Sequence, residues 1–321
     1  MQGKIAVEEH FAIPDTTDRS LRYHTEYWTG LQARLLDLHD RRLAEMDRTG
    51  IEMEIISLNS NGVQSILDAG KAAELARKAN DALAETVAKR PDRFAAFAAL
   101  PMQDPQAAAL ELERCVRDLK FKGALVNSFS QIGVPDSAVY YDLPHYRPFW
   151  TAVERLGVPF YLHPRDPLPS RRQAYEGHPW LIASPWGFAE ETAMHALRLM
   201  GCGLFDEYPA LQIVLGHLGE RIPYDLWRLD HRLSKVPGRP AKRKMGEYFR
   251  ANFYVTTSGN FCTQSLIAAI LTLGADRILF AVDYPFEDHE QAACWFDAAD
   301  IAESDRGKIG RDNAIALFGL R

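Results

Sequence analysis

The sequence lacks the features that identify several large classes of protein. None of its apolar runs approaches the roughly 18 residues of a membrane-spanning helix, and no stripe of lysine and arginine points to nucleic acid. The four cysteines, which form no CxxC pair, are Cys115, Cys202, Cys262 and Cys294. This scatter disfavours zinc ribbons and redox dithiols, and we expect reduced thiols in a cytoplasmic protein.

Nucleotide-binding motifs are also missing, because neither GxGxxG nor GxxxxGK[ST] follows the first apolar run. The 321 residues, 47% of them hydrophobic, instead repeat a short apolar run, a polar turn and a helical stretch. Near-continuous apolar runs of this length are typical of buried parallel strands. The eight runs are Lys4–His10, Met53–Asn59, Phe94–Pro101, Gly123–Phe129, Pro159–Pro164, Gln212–Gly219, Phe253–Gly259 and Ile278–Pro285.

Helical stretches separate these runs. They are Arg34–Thr49, Lys71–Arg90, Pro105–Leu119, Tyr146–Leu156, Phe188–Gly201, Arg221–His231, Thr263–Leu273 and Glu290–Ala298. Eight strands that alternate with helices leave two options, a closed barrel or an open doubly wound sheet. The number eight and the missing nucleotide motifs favour an α/β fold of the (β/α)8 TIM-barrel type, forming a single domain over residues 1–321.

Two connections are longer than ordinary barrel loops. Ala12–Gln32 follows the first strand, and Arg165–Gly187, with its four prolines, follows the fifth. Both come after the C-terminal ends of strands, where barrel enzymes build their active sites. We therefore interpret them as lids or subunit contacts. The tail, Ser304–Leu320, is predicted to form a final helix packed under the barrel.

Ionisable side chains end several of the predicted strands. Glu8 and His10 end the first strand and share one face, with Glu9 on the other, because strand side chains alternate. The groups that end three further strands are His163, His217 and Asp283. Five such groups at one mouth would repel or stay unpaired without a cation. Carboxylates and neutral imidazoles are common ligands of zinc, manganese and iron, so the pattern predicts a metal site.

Five segments of the sequence resemble the amidohydrolase superfamily. They are GKIAVEEHF, FYLHPRDPLP, AEETAMHALRLM, GHLGERIPYDLWRLDHR and RILFAVDYPFE. They fit its decarboxylase branch, which includes aminocarboxymuconate-semialdehyde decarboxylase and the ortho-hydroxybenzoate decarboxylases, and the resemblance runs nearly from end to end. It implies a homotetrameric lyase that decarboxylates a small aromatic acid without oxidation.

The resemblance also implies roles for individual residues. One divalent ion, manganese or zinc, would be held without any organic cofactor by Glu8, His10, His163 and Asp283. Glu220 matches the carboxylate that orients His217. Histidine at position 10, where some relatives have alanine, is typical of the 2,6-dihydroxybenzoate type. Two features depart from the branch: Tyr284 replaces a tryptophan, and the loop Thr17–Tyr27 is divergent and shortened.

The predicted fourth strand, Gly123–Phe129, contains no lysine. Binuclear members of the superfamily bridge two metals with a carboxylated lysine on that strand, so one metal is expected. Asn127 is either a donor to a substrate hydroxyl or simply a hydrogen-bonded strand end. Further candidate substrate contacts are Arg228 for an anionic group and, as an apolar wall for a benzene ring, Phe188, Phe286, Trp186 and Tyr284.

Decarboxylation of an aromatic acid requires a proton on the ring carbon that bears the carboxylate. We predict Asp283 as the donor, with His217 and Glu220 relaying the proton or stabilising the phenolate. The lead substrate is 2,6-dihydroxybenzoate, with 2,3-dihydroxybenzoate and salicylate as alternatives, and the reverse carboxylation is expected. Two rival functions stay open: a metal-dependent hydrolase of a lactone or amide, and a barrel that binds a metal or partner without catalysis.

Overall fold

Eight parallel strands form the centre of the molecule in the computed structural model, which describes residues 1–17 and 25–320. The strands are β1 (Lys4–Phe11), β2 (Ile51–Leu58), β3 (Phe94–Ala96), β4 (Ala124–Asn127), β5 (Phe160–His163), β6 (Ile213–Leu215), β7 (Phe253–Thr256) and β8 (Ile278–Leu279). Each predicted apolar run overlaps one of them, although β1 and β2 extend one and two residues beyond their runs. Several strands are shorter than predicted, and β6 and β8 end before His217 and Asp283, so neither residue lies on a strand.

The strands close into a barrel in chain order. Regular ladders join neighbouring strands within two groups, one running from β1 through β3 and the other from β4 through β8. A parallel bridge between Ala98 and Ala124 connects the two groups. On the other side, the Asp283 amide donates to the Glu8 carbonyl at 3.0 Å and joins the end of β8 to β1. The predicted (β/α)8 architecture is thus confirmed.

Helices cover the outside of the barrel. They are α1 (Thr25–Leu36), α2 (Arg41–Thr49), α3 (Ala69–Lys89), α4 (Pro105–Arg117), α5 (Arg147–Leu156), α6 (Gly187–Gly201), α7 (Leu204–Glu207), α8 (His217–Glu220), α9 (Ile222–Leu233), α10 (Met245–Asn252), α11 (Thr263–Leu273), α12 (His289–Ala298), α13 (Glu303–Gly307) and α14 (Asn313–Phe318). Of these, α8 is a single turn with positive φ angles throughout.

The predicted helix Arg34–Thr49 is wrong, because two helices meet there. The carboxylate of Asp37 accepts the backbone N–H groups of His39, Asp40 and Arg41 at 2.8–3.1 Å. An aspartate that binds backbone amides in this way competes with helix continuation and starts a new helix instead. The first of the two helices, α1, begins at Thr25 and so occupies part of the predicted connection Ala12–Gln32.

The two long connections have different structures. Residues 18–24, which include most of the divergent loop Thr17–Tyr27, lie outside the described residues. Arg165–Gly187 contains two short 3-10 turns, Pro169–Tyr175 and Pro179–Leu181. Exposed apolar side chains on this segment include Trp180, which is 63% exposed.

The barrel interior is apolar below the predicted site. Inward-facing residues such as Val7, Ile55 and Phe97 pack together, and Phe318 and Leu320 from the tail close the bottom. The predicted position of the tail is therefore confirmed, although it is divided into α13, a π turn and α14. No helix in the described part of the chain is long and apolar enough to cross a membrane.

Candidate active site

Four of the predicted strand-end residues meet at the C-terminal mouth of the barrel. Ligand atoms of Glu8, His10, His163 and Asp283 all lie within 4.8 Å of one another. Glu8 and His10 are fully buried, and the side chain of Asp283 is 16% exposed. His163 Nε2 is 3.3 Å from Glu8 Oε1, and His10 Nε2 is 3.0 Å from Asp283 Oδ1. Strand alternation thus predicted correctly which side chains of β1 face this mouth.

Two atoms at the centre of this group are buried without a hydrogen bond. They are Glu8 Oε1 and His10 Nε2, which have no hydrogen-bond partner among the described residues. An unsatisfied buried polar atom costs on the order of 1–3 kcal/mol. A cation between the four side chains would satisfy both atoms, and a set of two carboxylates and two imidazoles suits manganese or zinc. The residues therefore fit a divalent ion.

The imidazoles of His10 and His163 are both turned so that Nε2 faces the centre. His163 Nδ1 lies 2.8 Å from Asn127 Oδ1, and His10 Nδ1 lies 3.1 Å from the hydroxyl of Ser57. Partners of this kind on the outer nitrogen fix the tautomer that presents the other nitrogen to a metal. Asn127 is thus a hydrogen-bonded strand end, one of the two predicted options, and donation from its amide NH2 group to a substrate hydroxyl stays a prediction.

Three hydroxyl groups bind the second oxygen of Glu8, and the sequence analysis missed them. Tyr161, Ser258 and Thr256 all donate to Glu8 Oε2, Thr256 at 3.0 Å. This oxygen is saturated, so Oε1 is the atom left for an ion. A signal was available, because Tyr161 lies two residues before His163 on β5 and therefore on the same face.

His217 lies beside the four residues, on the turn that follows β6. Its Nδ1 is 2.8 Å from Glu220 Oε1, as the resemblance implied, and its Nε2 is 3.7 Å from Glu8 Oε1 and 3.9 Å from Asp283 Oδ2. The close approach of this turn requires glycine at 216, where a Cβ would come within 2.9 Å of Glu8 Oε2.

Burial and neighbouring charges shift the pKa values of these groups in different directions. Burial lowers the pKa of His10, which favours the neutral imidazole that binds metals. Burial also acts to lower the pKa of His217, but the carboxylates of Glu220 and Glu8 outweigh it and raise that pKa well above its usual value. Burial acts to raise the pKa of Asp283, but the neighbouring imidazoles of His10 and His217 bring it below its ordinary value.

Comparison with known proteins places this geometry in a family. The profile of the amidohydrolase family matches residues 22–320. The chain belongs to the amidohydrolases. It is 61% identical over 324 residues to gamma-resorcylate decarboxylase of Rhizobium sp. (strain MTP-10005), covering 100% of this chain and 99% of that protein.

Solved structures of amidohydrolases with similar sequences have nearly the same fold. A 2,6-dihydroxybenzoate decarboxylase complexed with 2,6-dihydroxybenzoate has a TM-score of 0.98 and 61% identity, with 100% of both chains covered. A dihydroxybenzoic acid decarboxylase from Polaromonas sp. JS666, with bound manganese and the inhibitor 2-nitroresorcinol, has a TM-score of 0.97 and 57% identity, covering 100% of this chain and 98% of that one.

The three predicted substrate contacts besides Asn127 lie in different parts of this amidohydrolase. The ring of Phe286 lies 5.6 Å from that of His10, at the candidate site. Phe188 is half-buried in the first turn of α6. Arg228 is exposed on α9, where it lines a surface groove with Asp225. The substrate roles of all three stay predictions.

Two residues suggested for the apolar wall lie elsewhere in the amidohydrolase fold. Tyr284 is only 1% exposed, because its ring stacks on His289 at 4.3 Å and faces away from the mouth. Trp186 is 47% exposed, and the guanidinium of Arg221 lies over its ring at 3.7 Å. Tyr284 was suggested because it lies just beyond a strand end, but its neighbour Asp283 is the residue that enters the site there.

A second group of buried ionisable residues lies behind β1. His289 bridges Glu54 at 2.8 Å and Glu45 at 3.3 Å, and Arg42 pairs with Glu54 at 2.9 Å. Burial acts to lower the pKa of His289, but the hydrogen bonds with Glu45 and Glu54 outweigh it and raise the pKa to about 9. The protonated imidazole therefore links α12 to α2 and β2.

This linkage predicts a loss of stability at alkaline pH. Because the folded pKa of His289 is raised to about 9, its contribution is fully present below the unfolded pKa of about 6.5 and is lost as pH rises through about 9. We expect the thermal midpoint to fall more steeply between pH 7 and pH 10 in the wild type than in a His289→Gln variant. Equal slopes in the two proteins, measured by circular dichroism, would contradict this role.

Proposed function

We propose that this amidohydrolase is a metal-dependent, non-oxidative decarboxylase of ortho-hydroxybenzoates, with 2,6-dihydroxybenzoate as its main substrate. The observation that carries the proposal is the four-residue group with the His217–Glu220 pair beside it. It occurs in a chain that is 61% identical along its whole length to a gamma-resorcylate decarboxylase. Because catalysis acts on both directions of a reaction, the reverse carboxylation is also proposed at high bicarbonate.

We propose that one divalent ion per chain is held by Glu8, His10, His163 and Asp283. Manganese is favoured because the similar Polaromonas structure contains it, and zinc suits the same set of ligands. The proposed reaction calls for no organic cofactor. When bound, the ion would supply a Lewis acid that neutralises the negative charge of the substrate's carboxylate and ortho oxygen.

The chain's own residues supply the proton in this proposal. Asp283 places a proton on the ring carbon that bears the carboxylate, and the electron pair of the breaking C–C bond restores the aromatic ring as carbon dioxide leaves. Because the lowered pKa of Asp283 leaves it ionised before substrate binds, its proton comes in this proposal from the His217 imidazolium, whose Nε2 lies 3.9 Å from Asp283 Oδ2. Glu220 holds the opposite nitrogen at 2.8 Å and so keeps the ring in position.

Other side chains support proposals for the substrate-binding wall, the oligomeric state and the cellular location. Phe286, beside His10, offers an apolar face for the substrate ring. Trp180 and Trp186, on the connection before α6, are exposed and supply apolar surface for an interface between subunits. We therefore propose a homotetramer. Each subunit is proposed to be a single barrel domain over residues 1–321. The four unpaired cysteines agree with the cytoplasm as its location.

The products of the reaction test this proposal against the hydrolase alternative. The purified protein with manganese should convert 2,6-dihydroxybenzoate into equal amounts of resorcinol and carbon dioxide, measured by chromatography and gas evolution. Hydrolysis of an aryl lactone, with no carbon dioxide released from any ortho-hydroxybenzoate, would instead support the hydrolase alternative.

A further inference from the structure

Glu9 lies between two candidate metal ligands in the sequence, yet its side chain points to the opposite face of β1. It is fully buried, and its two oxygens accept two backbone N–H groups from the chain after β8. Glu9 Oε1 binds the amide of Val282 at 2.8 Å, and Oε2 binds that of Tyr284 at 2.9 Å. The carboxylate thus spans the residues on either side of Asp283.

Asp283 itself has an unusual backbone conformation. Its φ of 78° lies in the left-handed region, which non-glycine residues rarely adopt and which persists only where the surroundings hold it. Its own amide donates to the Glu8 carbonyl at 3.0 Å. Three consecutive amides, from Val282 to Tyr284, are therefore bound by Glu8 and Glu9 of β1, two by the side chain of Glu9.

From these contacts we infer that Glu9 is a positioning residue, whose carboxylate fixes the backbone of Asp283 so that its side chain meets Glu8, His10 and His163. A carboxyl group is required because two amides need two acceptor oxygens. Glutamine has the same shape but only one oxygen, so its NH2 group would face a backbone N–H. The inference deepens the proposed function, since it rests on Asp283 as a ligand and proton donor.

The variant Glu9→Gln tests the inference through two measurements on the full-length protein. The first is hydrogen exchange of the peptide that contains Val282 and Tyr284, without added metal, where faster exchange than in the wild type is expected. The second is calorimetric titration with Mn²⁺, where affinity about 10–100-fold weaker is expected, as for other residues that orient metal ligands.

Glu111→Gln is the matched control. Glu111 is a buried glutamate on α4, and its described hydrogen bonds go to Asn80, Arg114 and Cys115. Mn²⁺ affinity within about threefold of the wild type is expected for this variant, because none of these bonds reaches Glu9 or the backbone around Asp283. A loss as large as that of Glu9→Gln would show that removing any buried charge here has the same effect, and would overturn the inference.

A double-mutant cycle separates positioning of Asp283 from general damage. In an Asp283→Ala background, Glu9→Gln should weaken Mn²⁺ binding by less than about twofold, because the ligand it positions is already gone. An equal loss in both backgrounds, or unchanged exchange and affinity in Glu9→Gln alone, would overturn the inference. If the wild type itself binds no Mn²⁺, the proposed metal site fails, and the exchange measurement still decides whether Glu9 holds the backbone of Asp283.

Discussion

The enzyme is expected to act on benzoates with a hydroxyl ortho to the carboxylate and to be at least about a thousandfold slower on isomers without one. The physical reason is geometric, because only an ortho oxygen lies close enough to the carboxylate for one ion to contact both. Losing that contact removes both the orientation of the ring carbon toward Asp283 and the neutralisation of charge. The measurement is kcat/KM from loss of substrate absorbance.

The substrate panel contains its own controls. 2,6-Dihydroxybenzoate should be the best substrate, with 2,3-dihydroxybenzoate and salicylate slower and 3,5-dihydroxybenzoate and 4-hydroxybenzoate inactive. 3,5-Dihydroxybenzoate is an isomer of 2,6-dihydroxybenzoate, and 4-hydroxybenzoate is an isomer of salicylate, so each of these pairs differs only in the position of the hydroxyl groups. Comparable rates on 3,5-dihydroxybenzoate would defeat the chelation argument.

Replacement of Asp283 by asparagine should reduce kcat by roughly a thousandfold or more, because the amide keeps the shape of the side chain but cannot deliver a proton. The same change removes a charged ligand, so turnover must be measured at saturating Mn²⁺ with metal content determined in the same samples. Under these conditions the loss should appear in kcat more than in KM.

A surface aspartate supplies the control for this variant. Asp276 is 72% exposed and pairs with Lys308 at 2.8 Å in the turn that precedes β8, at the other end of that strand from the candidate site, so Asp276→Asn should leave kcat unchanged. If Asp283→Asn with bound manganese kept kcat within about tenfold of the wild type, another group would have to be the proton donor.

The sequence predicted the barrel and the candidate ligands for physical reasons that the structure makes clear. Buried parallel strands are apolar along their whole length, so all eight were recognisable without any pairing information. Alternation along β1 separated Glu8 and His10 from Glu9, and the four-residue group has this arrangement. The left-handed turn at His217 and the positive φ of Asp283 could not be foreseen, because neither residue type requires that conformation.

The hydrogen-bond partners of the ligands were harder to predict. Tyr161 and Thr256 reach Glu8 only because barrel closure brings β5 and β7 opposite β1, and a single sequence does not show which strands face each other. The partner of Asn127 could not be named for a similar reason. Its position at the end of β4 suggested a substrate contact or a hydrogen-bonded strand end, and only the parallel register shows that it pairs with His163 on β5.

The most direct test of the account is the metal content and activity of a His163→Ala variant. The wild type should contain about one Mn²⁺ per chain after reconstitution, measured by inductively coupled plasma mass spectrometry, and should decarboxylate 2,6-dihydroxybenzoate. The variant should lose most of the bound metal and the activity together, because the remaining ligands come only from the neighbouring ends of β1 and β8. His145→Ala, at an exposed histidine, should retain both. Full metal occupancy with normal turnover in His163→Ala would contradict the proposed centre.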